Sequence, residues 1–241
     1  MGLSLPALLT VALALLAGAT VQSLVGLGLG LVAAPVVALV DPGLLPEVTL
    51  WLACTYPVVT LATERSGIDW DGLAWSMPTR VVGTVLGVAA VAYLSSRLLA
   101  VVVAVMVLVA VALTWRAVRI PLNRGTLMTA GLVSGLSGTA TSIGGPPLAI
   151  LYQHRPPQQI RTTMAVYFGV GAALSLVGLG IAGQLEMDRF LLALALSPVL
   201  LLGAWLGVVL RPRLPEARVR PAVLLVCATS AAVLLVRTLV G

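Results

Sequence analysis

The sequence predicts an all-α polytopic membrane protein with 8 to 10 membrane segments. It further predicts two inverted-topology repeats of about five segments each, with broken half-helices opening each repeat. Three observations carry this. Hydrophobic residues make up 60% of the 241 positions and charged residues only 9%, which leaves too little polar surface for a water-soluble globule. Apolar runs recur along the whole length between short charged or proline-containing connections, so the chain reads as a single integral membrane domain, residues 1–241. Finally, two glycine-rich interruptions occur at corresponding places in the two halves, 1–120 and 121–241.

Crossing the hydrocarbon core takes about 20 apolar residues in a helix. Full-length segments are expected at Leu5 to Leu24, Pro46 to Thr63, Leu73 to Leu94, Leu98 to Trp115, Ile160 to Ile181, Phe190 to Leu210 and Pro221 to Val240. Ala17-Gly18-Ala19 loosely resembles a signal-peptidase site, but no positive residue precedes the apolar run, and a retained first span is expected. Three pieces are too short to cross: Gly28 to Val40, Thr126 to Thr141 and Gly145 to Gln153, each bounded by glycine or proline clusters. These are expected to be half-helices.

The arginines choose between eight and ten segments, because short cytoplasmic loops carry the positive excess. With ten, Arg65, Arg116, Arg119, Arg124, Arg155, Arg161, Arg211, Arg213, Arg218 and Arg220 fall on one side and Arg97 and Arg189 on the other. Arg80 sits near the first side and Arg237 near the second. With eight the bias disappears, so ten segments are preferred.

"GLGLGLVAAP" (Gly26 to Pro35) aligns with "SIGGPPLAIL" (Ser142 to Leu151) at an offset of 116, matching Gly28 to Gly144. "PTRVVGTVLGV" (Pro78 to Val88) aligns with "PVLLLGAWLGV" (Pro198 to Val208) at an offset of 120. Five segments per half is odd, so the second half enters from the opposite side, as in transporters built from inverted repeats.

In hydrocarbon an unwound stretch survives only where protein or a water-filled cavity covers it. Pro146 and Pro147 supply no N–H, while Gly144 and Gly145 allow backbone angles that other residues avoid. A half-helix starting there leaves free N–H groups and a partial positive charge suited to an anion. The expected substrate-binding residues are Gln22, Ser23, Gly26, Gly28 and Gly30 at the first break, and Ser137, Thr139, Thr141, Ser142, Gly144, Gly145 and Pro146 at the second. Single hydroxyls more often bond their own helix carbonyls. Gly83 with Gly87, Gly203 with Gly207 and Gly131 with Gly135 are four apart, a spacing that lets helices approach closely.

No carboxylate is an obvious proton carrier within a span; all eight fall in or beside connections. Arg80 is the deepest charge, expected to snorkel to the interface or else to guide anions, and Arg161 is a weaker guide of the same kind. The net charge of +6 is spread over connections as fourteen arginines, which reads as topology and not as a nucleic-acid surface. His154 is the only histidine, and Cys54 and Cys227 lie far apart in apolar runs, so no metal, cofactor or enzyme is expected. "DWDG" (Asp69 to Gly72) lacks the further spaced aspartates that a metal-dependent transferase requires.

On "GLGLGLVAAP" and "GLVSGLSGTATSIGGPPLAILY" (Gly131 to Tyr152) the chain resembles the sulfite exporter TauE/SafE family of membrane permeases. It departs from a simple glycine triplet at Leu29 and at Pro146. The resemblance implies movement of sulfite, a sulfonate or a similar small anion across the cytoplasmic membrane. Composition and spacing alone support an anion-leaning secondary transporter, with the lipid bilayer and a small anion as partners. A coupling ion and a homodimer are left open, and the alternative is a non-transporting assembly factor or receptor subunit.

Overall fold

The computed structural model describes residues 4–26, 28–115, 120–214 and 216–240. It contains ten α-helices among them: α1 (Leu5–Val25), α2 (Ala34–Val40), α3 (Glu47–Thr63), α4 (Trp70–Tyr93), α5 (Ser96–Trp115), α6 (Arg124–Thr141), α7 (Gly145–Tyr152), α8 (Pro157–Ile181), α9 (Met187–Leu210) and α10 (Glu216–Val240). A π-helical turn, Leu29–Ala33, leads directly into α2.

Most boundaries follow from local chemistry. Gly26 ends α1 in the left-handed region, φ 88°, with its N–H donating to the Gln22 carbonyl, the usual role of a glycine after a helix. Asn123 opens α6 through a reciprocal capping box with Thr126. Asp69 opens α4 by accepting from the Gly72 N–H at 3.0 Å, so that helix begins at Trp70, three residues before the expected start. The first carboxylate of "DWDG", Asp69, is thus a helix cap. Arg116 and Arg119, counted above for topology, lie outside the described residues, as do the side chains of Arg218 and Arg220.

Packing repeats itself between the halves. Gly83 and Gly87 of α4 lie against α6, where an added Cβ would meet Leu132 and Leu136 at the first and Leu136 and Thr139 at the second. Gly203 and Gly207 of α9 lie against α1 in the same way, facing Leu16 and Ala19, then Thr20 and Ser23. Shifted by 116, Leu16, Thr20 and Ser23 become Leu132, Leu136 and Thr139. Each half therefore lends its fourth helix to the other half's first. Gly131 and Gly135 complete the α4–α6 seam, where a Cβ at Gly135 would run into the Arg80 carbonyl and approach the Thr84 N–H at 2.8 Å. Backbone cannot yield there as a side-chain tip can, so Gly135→Val should cost at least the roughly 1–3 kcal/mol of ordinary overpacking. A lowered unfolding temperature of the purified protein checks this; an unchanged one refutes it.

The α3 and α8 helices run antiparallel. Glu64 pairs with Arg161, Pro57 packs on Gly169, and Glu47 at the start of α3 accepts from the Glu186 N–H beyond the end of α8. One apolar cluster joins α1, α2, α3, α5, α9 and α10; a second joins α4, α6, α7 and α8.

The outward faces are apolar. Leu9 and Leu13 on α1, Val82, Val85 and Leu86 on α4, Val177 on α8 and Leu202 and Trp205 on α9 are all exposed, more apolar surface than a soluble monomer leaves in water. Among the described residues four helices, α1, α4, α8 and α9, are long and apolar enough to cross a membrane. The exterior suits lipid, and the chain is a multi-pass membrane protein.

Candidate functional site

The two interruptions meet inside the bundle. The missing side chain of Gly30 lets the backbone of Ser142 come into contact; a Cβ there would strike the Ser142 carbonyl. Ser142 itself ends α6 in the left-handed region, φ 62°, uncommon for a residue with a side chain. Its hydroxyl shares a 2.5 Å hydrogen bond with Thr49 Oγ1 and also reaches the Pro46 carbonyl. A cavity of about 50 Å³ opens between the breaks. One water needs roughly 10–15 Å³ of such space, so a small oxyanion or a few waters fit.

Of the expected residues, Gln22, Gly28, Gly30, Ser142, Gly144 and Gly145 line this cavity, and so does Arg80. The hydroxyls of the α6 end do not line it. Ser137 donates to the Val133 carbonyl, Thr141 to the Ser137 carbonyl, and Thr139 pairs with Ser175 at 2.7 Å. They fasten α6 to itself and to α8. Pro146 faces an apolar groove between α5, α6 and α7. Ser23 and Gly26 lie beside α9 and the start of α8 instead. Lining residues that the sequence reading missed include Thr49, Ala53, Gly138, Phe168 and Ala172. Only Gly138 carried a signal, through its alignment with Gln22 at the offset of 116.

Arg80 does not snorkel. Because α4 starts at Trp70, Arg80 is the eleventh of its 24 residues, and ten residues at 1.5 Å each separate it by about 15 Å from the helix start. It is buried, 2% exposed. Its Nη1 donates to Ser134 Oγ at 3.0 Å, and that hydroxyl donates in turn to the Gly144 carbonyl. Its guanidinium lies over the Tyr167 ring, 4.3 Å from the centroid. Gly171 makes room for it; a Cβ there would clash with Arg80 Cζ, Nε and Nη2. Arg80 has no carboxylate partner among the described residues, whereas Arg161, Arg189 and Arg211 all have one. Its Nε has no hydrogen-bond partner among them either.

Arg161 has a different place. It is bidentate on Glu64, at 2.9 and 2.7 Å, and Arg211 adds a third bond to the same carboxylate at 2.6 Å. Arg211 also donates to the Ser23 carbonyl. Burial first, then the like charge of Arg161, pulls the Arg211 guanidinium below its ordinary value, while Glu64 opposes the shift. This cluster ties α1, α3, α8 and α9 together at the far end of α3 from Glu47. Glu47, expected in a connection, is 1% exposed and holds the Glu186 N–H and Arg189.

The arrangement thus offers a buried guanidinium without a counter-charge among the described residues, beside two broken helices and a small cavity. Neither a curated protein nor a solved structure matches the chain. A family model, sulfite exporter TauE/SafE, matches residues 10–234. That match takes in both breaks, both glycine seams and the Arg80 cavity, and the chain belongs to the sulfite exporter TauE/SafE family of membrane transporters.

Proposed function

We propose that this protein is a secondary carrier of a small anion, sulfite or a sulfonate, across the cytoplasmic membrane, working by alternating access between inverted halves 1–120 and 121–241 of one domain. The buried Arg80, without a carboxylate partner among the described residues, carries the reading. An arginine at the centre of a span costs about 2.5–3.5 kcal/mol on the insertion scale. A cation–π contact returns roughly 0.5–2 kcal/mol and the Ser134 bond a further part, but neither partner carries a negative charge, so the positive charge itself is left for a bound anion to neutralise. Gly28, Gly144 and Gly145 bring backbone close to the same space. The inverted relation is supported by the exchanged α4–α6 and α9–α1 seams and by the antiparallel α3 and α8. The site needs no cofactor or catalytic group for this work, so the protein acts as a carrier and not as an enzyme.

Flux from proteoliposomes loaded with sulfite or methanesulfonate tests the proposal. Wild type should release at least one of them, and Gly171→Ala, which fills the space of the Arg80 guanidinium, should slow release at least 30-fold without loss of membrane insertion. No flux of any small anion, together with a stoichiometric co-purifying protein, would favour an assembly factor or receptor subunit instead.

A further inference from the structure

We infer that the anion is held at the second break alone, with one of its oxygens in the place that the Gln22 side-chain oxygen occupies at the first. This rests on the carrier reading above and makes it specific. At the offset of 116, Gln22 corresponds to Gly138 and Leu29 to Gly145, and the glycine seams follow the same register. At the first break Gln22 Oε1 accepts from the Leu29 N–H at 2.9 Å. That donor is already satisfied, and by a buried side chain.

At the second break the capping side chain is missing. A Cβ on Gly138 would lie 3.2 Å from Gly144 Cα and 3.4 Å from Arg80 Nη2, so the emptied position faces both the broken backbone and the guanidinium. No side chain caps the start of α7 at Gly145, and the next two residues are prolines without an N–H. Arg80 Nε is also unpartnered and buried. The charge belongs to this break only, because the counterpart of Arg80 at the offset of 120 is Leu200, fully buried. The polar atoms nearest the position, Arg80 Nη2 and the Gly144 amide nitrogen, are both donors. The ligand chemistry is therefore an acceptor with negative charge, a deprotonated oxyanion, and duplication has given one occupied cap and one vacant cap.

The test uses the purified full chain in detergent, with thermal unfolding titrated by sodium sulfite, sulfate and methanesulfonate. Gly138→Gln restores the side-chain cap, and its affinity for whichever anion stabilises wild type should fall at least 30-fold. Gly138→Ala, which crowds the position without supplying an acceptor, should lose less than 5-fold. With ¹⁵N-labelled glycine and leucine, the same anion should move the Gly145 amide resonance, assigned through Gly145→Ala, and leave that of Leu29 in place. This second readout needs no altered cap to fold. Binding by Gly138→Gln within 3-fold of wild type, or equal movement of the Leu29 and Gly145 resonances, overturns the assignment. If Arg80→Gln loses binding while Gly138→Gln keeps it, only the assignment to the second break fails. If none of the three anions stabilises wild type, the carrier reading falls and this inference with it.

Discussion

Arg80→Gln should abolish anion transport while leaving the protein at least as heat-stable as wild type. A unit charge pair about 4 Å apart is worth about 4 kcal/mol at an effective dielectric constant near 20, and 1.4 kcal/mol is a factor of ten. Losing the guanidinium should therefore weaken anion affinity by roughly two to three orders of magnitude, read as sulfite flux from proteoliposomes or as anion-dependent thermal stabilisation. Glutamine keeps a donor for Ser134, which anchors the second break through the Gly144 carbonyl. The stability half of the prediction separates binding from scaffolding. A buried charge with no counter-charge is a cost to the unliganded fold, so its removal should hold or raise the unfolding temperature without anion. A large drop in that temperature would mean that Arg80 serves the fold, and the transport loss would then say nothing about a site.

The second large effect is expected at Glu64. Glu64→Ala strands Arg161 and Arg211 together, both partly or wholly buried, and Arg211 Nε already lacks a partner among the described residues. Breaking a buried pair by removing one member costs about 3–5 kcal/mol; since these side chains keep some solvent contact, about 3 kcal/mol is the appropriate end. At roughly 2–4 °C per kcal/mol for a chain of this size, the unfolding temperature should fall by about 6–12 °C. Glu64→Gln retains one acceptor oxygen and should lose about half as much. Equal stability of wild type and Glu64→Ala would show that the arginines find other partners and that the cluster does not tie α1, α3, α8 and α9.

How much of this was legible in the sequence depends on how local the cause is. The half-helix at Gly145–Tyr152 was readable because Gly144, Gly145, Pro146 and Pro147 act on their own backbone. The three glycine pairs were readable as close-packing faces because a spacing of four puts both on one side of a helix, and all three lie against another helix's backbone. Hydroxyls were less legible. Thr139 looks like a ligand group until Ser175, 36 residues away, is beside it. Arg161 looked like an anion guide until Glu64 supplied its own anion, 97 residues earlier.

The sequence by itself determined the class of solvent the chain lives in, the order of its helices and the two interruptions. Each of these depends on the hydropathy and backbone freedom of neighbouring residues, which do not need the rest of the chain to be known. The tertiary structure alone decided which polar groups are spent on the protein and which are left over. Hydrogen-bond and charge satisfaction is a matter of distance in space, and the partners of Arg80, Arg161 and Gln22 differ by tertiary placement and not by residue type. Inside a low-dielectric bundle an unspent donor is costly, and Arg80 Nε, buried and without a partner among the described residues, is one that only the folded chain reveals.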